Sequence, residues 1–170
     1  DLAGNTTDPR LNEVDLALSW ESSFRDLGIA ISAQAYFYPD QLESPSTSEI
    51  SLQLSYDLGP LRPFATQALD IREYRGAYFA ELGLLSEWSP AQRLAAEASV
   101  KVGWASAEFN RAYLGDAGPA FESAGCDVCV TWAISDFFYI RPHVAVSTML
   151  DSEMKNLVEK PTLYQVGLAI

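Results

Sequence analysis

Few residues in the chain are of a type that does covalent chemistry. Two cysteines, Cys126 and Cys129, form a C-x-x-C, and the one histidine, His143, has Ser147 four residues on. The residue after Cys129 is Val130 rather than His, which excludes c-type haem attachment. No second C-x-x-C completes a structural zinc site. On a strand, residues three apart point to opposite faces, too far apart for a disulfide. The pair then reads as two small residues of a strand. His143 and Ser147 share a face but stand about 13 Å apart along a strand, beyond a direct bond. Cys129 on a neighbouring strand could lie opposite His143, a pairing used in nucleophilic catalysis, but no activating motif surrounds either residue. Glycine-rich phosphate loops and metal-ligand spacings are absent, so the expectation is no enzyme, no cofactor and no metal.

The remaining chemistry is charge, and charge alternates with apolar residues at a period of two. From Glu13 to Glu21, Val14, Leu16, Leu18 and Trp20 alternate with Asp15, Ala17 and Ser19. The same pattern holds over Leu27–Phe37, Ser48–Leu58, Arg93–Ala105 and Gly125–Ile134. It is less regular over Leu61–Ile71, Ala77–Trp88, Phe138–Leu150 and Leu163–Ile170. That makes about nine strands of roughly 8 to 12 residues, the length at which a tilted strand crosses a bilayer.

The connections sort into two kinds that alternate strictly. Ser22–Asp26, Asp57–Leu61, Ser89–Gln92 and Ser135–Asp136 are short. Pro39–Thr47, Ala107–Pro119 and Asp151–Thr162 are long and polar, and Arg72–Arg75 is the one short member of their group. Short turns at one end and longer loops at the other are the outer-membrane barrel pattern. Aromatic residues fall in two belts on the apolar face. Trp20, Tyr56, Trp88, Trp132 and Phe138 lie near the short turns, and Phe37, Tyr78, Trp104 and Tyr164 near the long loops. Such girdles mark the two membrane interfaces. The other arrangement with this pattern is a soluble barrel or sandwich whose core the aromatics fill.

Composition fits the membrane alternative. Apolar residues make up 48% of the 170 residues and charged ones 20%, which excludes a disordered chain. No apolar run is long enough for a membrane helix, but a strand barrel needs none. A net charge of −12 excludes nucleic acid as a partner and suits cations. The expected fold is thus all-β, one antiparallel up-and-down transmembrane β-barrel domain over residues 1–170. Bacterial barrels have an even strand count with both ends periplasmic. Nine strands then imply a complete protein of 10–12, with at least one strand before Asp1 and residues 1–11 ending an outside loop. A short strand at Leu2–Asn5 or within a loop would be the alternative tenth.

The arrangement resembles the TorF family of bacterial outer-membrane porins. The matching stretches are Asn5 to Asp15, Tyr36-Phe-Tyr-Pro39, Thr47-Ser-Glu-Ile50, Ser55-Tyr-Asp-Leu-Gly-Pro60, Gly103-Trp-Ala-Ser-Ala-Glu-Phe-Asn110 with Tyr113 and Gly115, and Tyr139-Ile-Arg-Pro-His-Val144 with Ser147 and Leu150-Asp151. They span nearly the whole chain, though each is short. The chain departs from outer-membrane barrels in ending on Ile170, where an aromatic is usual. MipA-type barrels are the second relative by pattern. The resemblance implies an integral protein of the bacterial outer membrane in contact with lipid and lipopolysaccharide, alone, as a homo-oligomer or in a larger assembly.

Under this reading the polar face lines a lumen. Glu81, Glu87, Arg93, Glu97, Lys101, Asp127, Arg141 and His143 are the candidate lining residues, with Glu81 expected near Lys101 and Glu87 near Arg93. A narrow lumen of mixed sign with an acidic excess would pass small solutes by passive diffusion, with a cation bias. A non-conducting barrel anchoring a larger envelope assembly is the alternative, and a barrel enzyme acting on lipid the third class.

Overall fold

The computed structural model describes residues 14–39, 45–115 and 118–169. Glu13, Asp116, Ile170 and the polar stretch over residues 1–11, including the possible Leu2–Asn5 strand, lie outside the described residues. Nine strands form one sheet in sequence order: β1 (Val14–Phe24), β2 (Leu27–Phe37), β3 (Thr47–Tyr56), β4 (Leu61–Asp70), β5 (Tyr78–Ala91), β6 (Leu94–Ala105), β7 (Ala120–Ala133), β8 (Tyr139–Met149) and β9 (Thr162–Ala169). Every neighbouring pair is antiparallel, an up-and-down meander with β1 and β9 at its edges.

The register carries the period-two pattern from strand to strand. Leu18 pairs with Ala33, Ala33 with Ile50 and Ile50 with Leu69. Further along, Leu82 pairs with Val102, Val100 with Cys126 and Val144 with Val166. One face is therefore apolar on all nine strands, and much of it is exposed: Leu18 at 77%, Leu82 at 60% and Val166 at 82%. A slip of one residue would exchange the faces, so the pattern specifies the register strongly.

The rows of paired residues climb across the sheet. The row that starts at Trp20, toward the short-turn end of β1, runs through Ile31, Leu52, Gln67 and Ala80 to Trp104 at the long-loop end of β6. The stagger averages about one residue per strand, the slope of strands tilted by about 40°.

Local chemistry explains the interruptions. Between Cys129–His143 and Trp132–Ile140 the β7–β8 ladder has no pairs, and Pro142, which has no N–H to give, lies in that gap. Arg25 takes a left-handed φ of 55° in the two-residue turn between Phe24 and Leu27, the twist such tight hairpins require.

The polar face carries every strand glycine: Gly28, Gly83, Gly103, Gly125 and Gly167. Three of them lie under rings from neighbouring strands. A Cβ on Gly83 would meet the Phe64 ring, one on Gly103 would stand 2.7 Å from Phe79 Cζ, and one on Gly167 would meet the His143 ring. A ring laid over a glycine restores the packing that the glycine lacks. Gly83→Ala is expected to destabilise the fold by about 1–3 kcal/mol through overpacking. In denaturant titrations, Phe64→Ala should relieve part of that cost, so the double variant is less unstable than the two single effects combined.

Two of the long polar connections contain helices. α1 (Ala107–Tyr113) starts at the Ser106 cap, whose hydroxyl accepts from Phe109 N at 3.2 Å. α2 (Ser152–Leu157) starts at Asp151, whose carboxylate accepts from Glu153 N and Met154 N at 2.8 and 3.1 Å. Among the described residues no helix is long and apolar enough to cross a membrane.

Candidate functional site on the polar face

Seven of the eight candidate lining residues stand on the polar face at register positions that the strands fix: Glu81, Glu87, Glu97, Lys101, Asp127, Arg141 and His143. Arg93 does not. Ala91 pairs with Leu94, which leaves Gln92 and Arg93 as the turn, and Arg93 Nη1 donates to the Ile134 carbonyl at 3.0 Å.

The charges on this face are organised in pairs. Lys101 Nζ lies 2.9 Å from Glu81 Oε2, as the alternation suggested. The expected Glu87–Arg93 pair is replaced by Glu87–Arg62 at 2.9 Å, with Asp57 at 3.9 Å from the same guanidinium. The register explains the exchange. Glu87 stands directly opposite Glu97, a repulsive arrangement. Each carboxylate turns away to an arginine on its far side, Glu87 to Arg62 on β4 and Glu97 to Arg141 on β8 at 3.1 Å.

To reach Glu97, Arg141 crosses Cys129 of the intervening β7. Its Nε and Nη2 donate to Cys129 Sγ at 3.4 and 3.3 Å. Cys129 is buried and faces the polar side, whereas Cys126 pairs with Val146 on the apolar face and is exposed, so the two thiols are on opposite faces as expected of a strand. Cys129 does stand opposite His143. The thiol is engaged by Arg141, however, and the imidazole covers Gly167, so this pair makes no nucleophile–base hydrogen bond.

Between β5 and β9 the polar face forms an open cavity of about 450 Å³ that brings together Glu97, Ser99, Lys101, Asp127, Ser147 and Gln165. A second concavity of about 440 Å³ lies nearer the short turns of β1–β3, beside Glu21, Ser23, Gln53 and Ser55.

At the long-loop end the sequence reading missed two structures. Asp70, one of the polar-face carboxylates, is buried and holds the β4–β5 loop. Its Oδ1 accepts from Arg72 N and Tyr74 N at 2.9 and 3.0 Å, and its Oδ2 from the Thr47 hydroxyl. The second is the aromatic cluster of α1, which lies over the polar face. Phe109 packs on Phe79 with ring centroids 5.4 Å apart and on Tyr113 at 4.7 Å, and Tyr113 packs on Tyr74 at 5.3 Å. The Tyr113 hydroxyl donates to Glu49 Oε1 at 3.4 Å, and Tyr36 donates to Glu49 Oε2 at 3.2 Å. Burial and the nearby Glu49 carboxylate push the Tyr113 hydroxyl well above the ordinary phenol range, so it stays a neutral donor. The readable signals for α1 were the Ser106 cap and the Phe109–Tyr113 spacing of four.

On the opposite face, Trp20, Tyr56, Trp88, Trp132, Phe37, Tyr78, Trp104 and Tyr164 all take apolar-face positions, and Tyr78 packs against Trp104 at 6.0 Å. Phe138 lies in the β7–β8 turn, where its carbonyl accepts from Ile134 N and Ser135 N.

No protein-family model matches this chain, and no curated protein matches it.

Proposed function

We propose that this protein is an integral β-barrel of the bacterial outer membrane that passes small solutes by diffusion, with a bias toward cations. The observation that carries this reading is the exposed apolar face, continuous over nine contiguous strands and bearing aromatic residues toward both ends. An apolar surface that large asks for a covering, and lipid covers it on every strand at once. The opposite face, with its paired charges and cavity, becomes the lumen. The strand stagger and the glycines gathered on the polar face are the features a sheet needs in order to curl toward that side. Membership of the TorF family, with MipA-type barrels second, belongs to the same proposal, as do contacts with lipid and lipopolysaccharide and assembly into a homo-oligomer or larger complex.

A second reading, a non-conducting barrel that anchors an envelope assembly, is favoured by α1, whose ring cluster lies over the polar face at the long-loop end.

Purified protein in planar bilayers under a potassium chloride gradient tests the two. The pore reading expects discrete conductance steps and a reversal potential displaced toward that of potassium. Folded, inserted protein that conducts at no voltage would sink the pore and leave the anchor.

A further inference from the structure

We infer that the cavity between β5 and β9 is a binding site for a small primary ammonium compound, with Asp127 as its charged anchor. This rests on the reading of the polar face as a lumen and goes further, because it names a solute class and the residue that selects it.

The charge inventory of the cavity singles out Asp127. Lys101 is held by Glu81 at 2.9 Å and Glu97 by Arg141 at 3.1 Å, so each is neutralised by a partner. Asp127 has neither an ion pair nor a hydrogen bond among the described residues. It is half-buried, opposite Ser99 on β6 and Ala145 on β8. The cavity thus carries one uncompensated negative charge.

Its size and lining decide the kind of cation. At about 450 Å³ it is far larger than a bare ion needs and lies in the range of small-molecule sites. One unpaired carboxylate, beside a Glu97 already held by Arg141, falls short of the oxygen cage that calcium takes. The Ser99 and Ser147 hydroxyls and the Gln165 amide offer acceptors around Asp127, matching the three N–H donors of a primary ammonium group. Leu85 and Leu163 line the same cavity and suit a short aliphatic body.

The test is calorimetric titration of the detergent-solubilised full chain with n-butylammonium chloride, against sodium chloride at equal ionic strength. The expected result is saturable binding of the amine that sodium chloride does not reproduce. Asp127→Asn, which keeps the side chain's shape, should weaken it tenfold or more, and Asp127→Glu should retain most of it. Heat-dependent gel mobility reports whether each variant is folded. Should Asp127→Asn misfold, Ser99→Ala takes its place, with a loss of about threefold expected. No saturable amine binding, or equal affinity in folded Asp127→Asn, overturns the inference. Amine binding without bilayer conductance would uphold the site and sink the pore; conductance without amine binding would do the reverse.

Discussion

Val100→Arg is expected to cost about 2–4 kcal/mol of folding into a bilayer, the penalty for a lipid-facing arginine at mid-membrane depth. Val100 lies in the middle of β6, on the apolar face between Leu84 and Cys126, and is 55% exposed. In water an arginine at so open a position would change stability by about 0.5 kcal/mol or less. The adjacent Ser99 supplies the control. One residue along the strand means the opposite face, and Ser99 stands across from the unpaired Asp127. Ser99→Arg should therefore fold nearly as well as the parent, its guanidinium meeting a carboxylate in a hydrated space. Urea titration of folding into lipid vesicles, followed by gel mobility, measures both. Equal behaviour of the two variants would remove lipid from the apolar face, and the outer-membrane reading with it.

The same alternation decides how much of the molecule could be read in advance. Strand β2 was legible to its end residues, Leu27 and Phe37, because eleven residues alternate between two turn signals. Strand β7 was legible only from Gly125, although it begins at Ala120. Gly103 pairs with Ser123 but Trp104 pairs with Phe121, so Glu122 is an extra residue and the period breaks there. The helices were hidden for a different reason. At seven and six residues, α1 and α2 are too short to show a 3.6-residue period, and only their caps announce them.

Locality alone did not decide the charge pairings. Counting from the turn of one hairpin brought Glu81 to Lys101, but the same count set Arg93 beside Glu87, whereas Arg93 falls in the turn itself. Arg62 reaches Glu87 from the other side, across a ladder whose register depends on the β4–β5 loop. That loop is set by the buried Asp70 and its backbone donors, an arrangement without a periodic signature. The polar face as a whole was therefore legible from spacing. The partner of each charge, and so the identity of the unpaired one, required the register.

On the proposed pore reading, removal of the rings of α1 should have the largest effect on transport. The helix leaves β6, yet Tyr113 at its last turn reaches Glu49 on β3, so it spans the polar face past β5 and β4. Two ring contacts hold it there, Phe79–Phe109 and Tyr74–Tyr113, while Phe109–Tyr113 is internal to the helix. Each is worth about 0.5–1.5 kcal/mol. Phe109→Ala with Tyr113→Ala deletes both docking contacts, enough to reduce the docked population of the helix by a factor on the order of ten. Single-channel conductance in planar bilayers should then rise several-fold. Cation selectivity should rise as well, because Glu49 loses one of the two phenols that hold its carboxylate. Tyr113→Phe separates the two effects: it keeps the rings and removes only the hydroxyl, so it should shift selectivity while leaving conductance close to the parent. If the double variant conducts no better than the parent, α1 does not obstruct the proposed lumen.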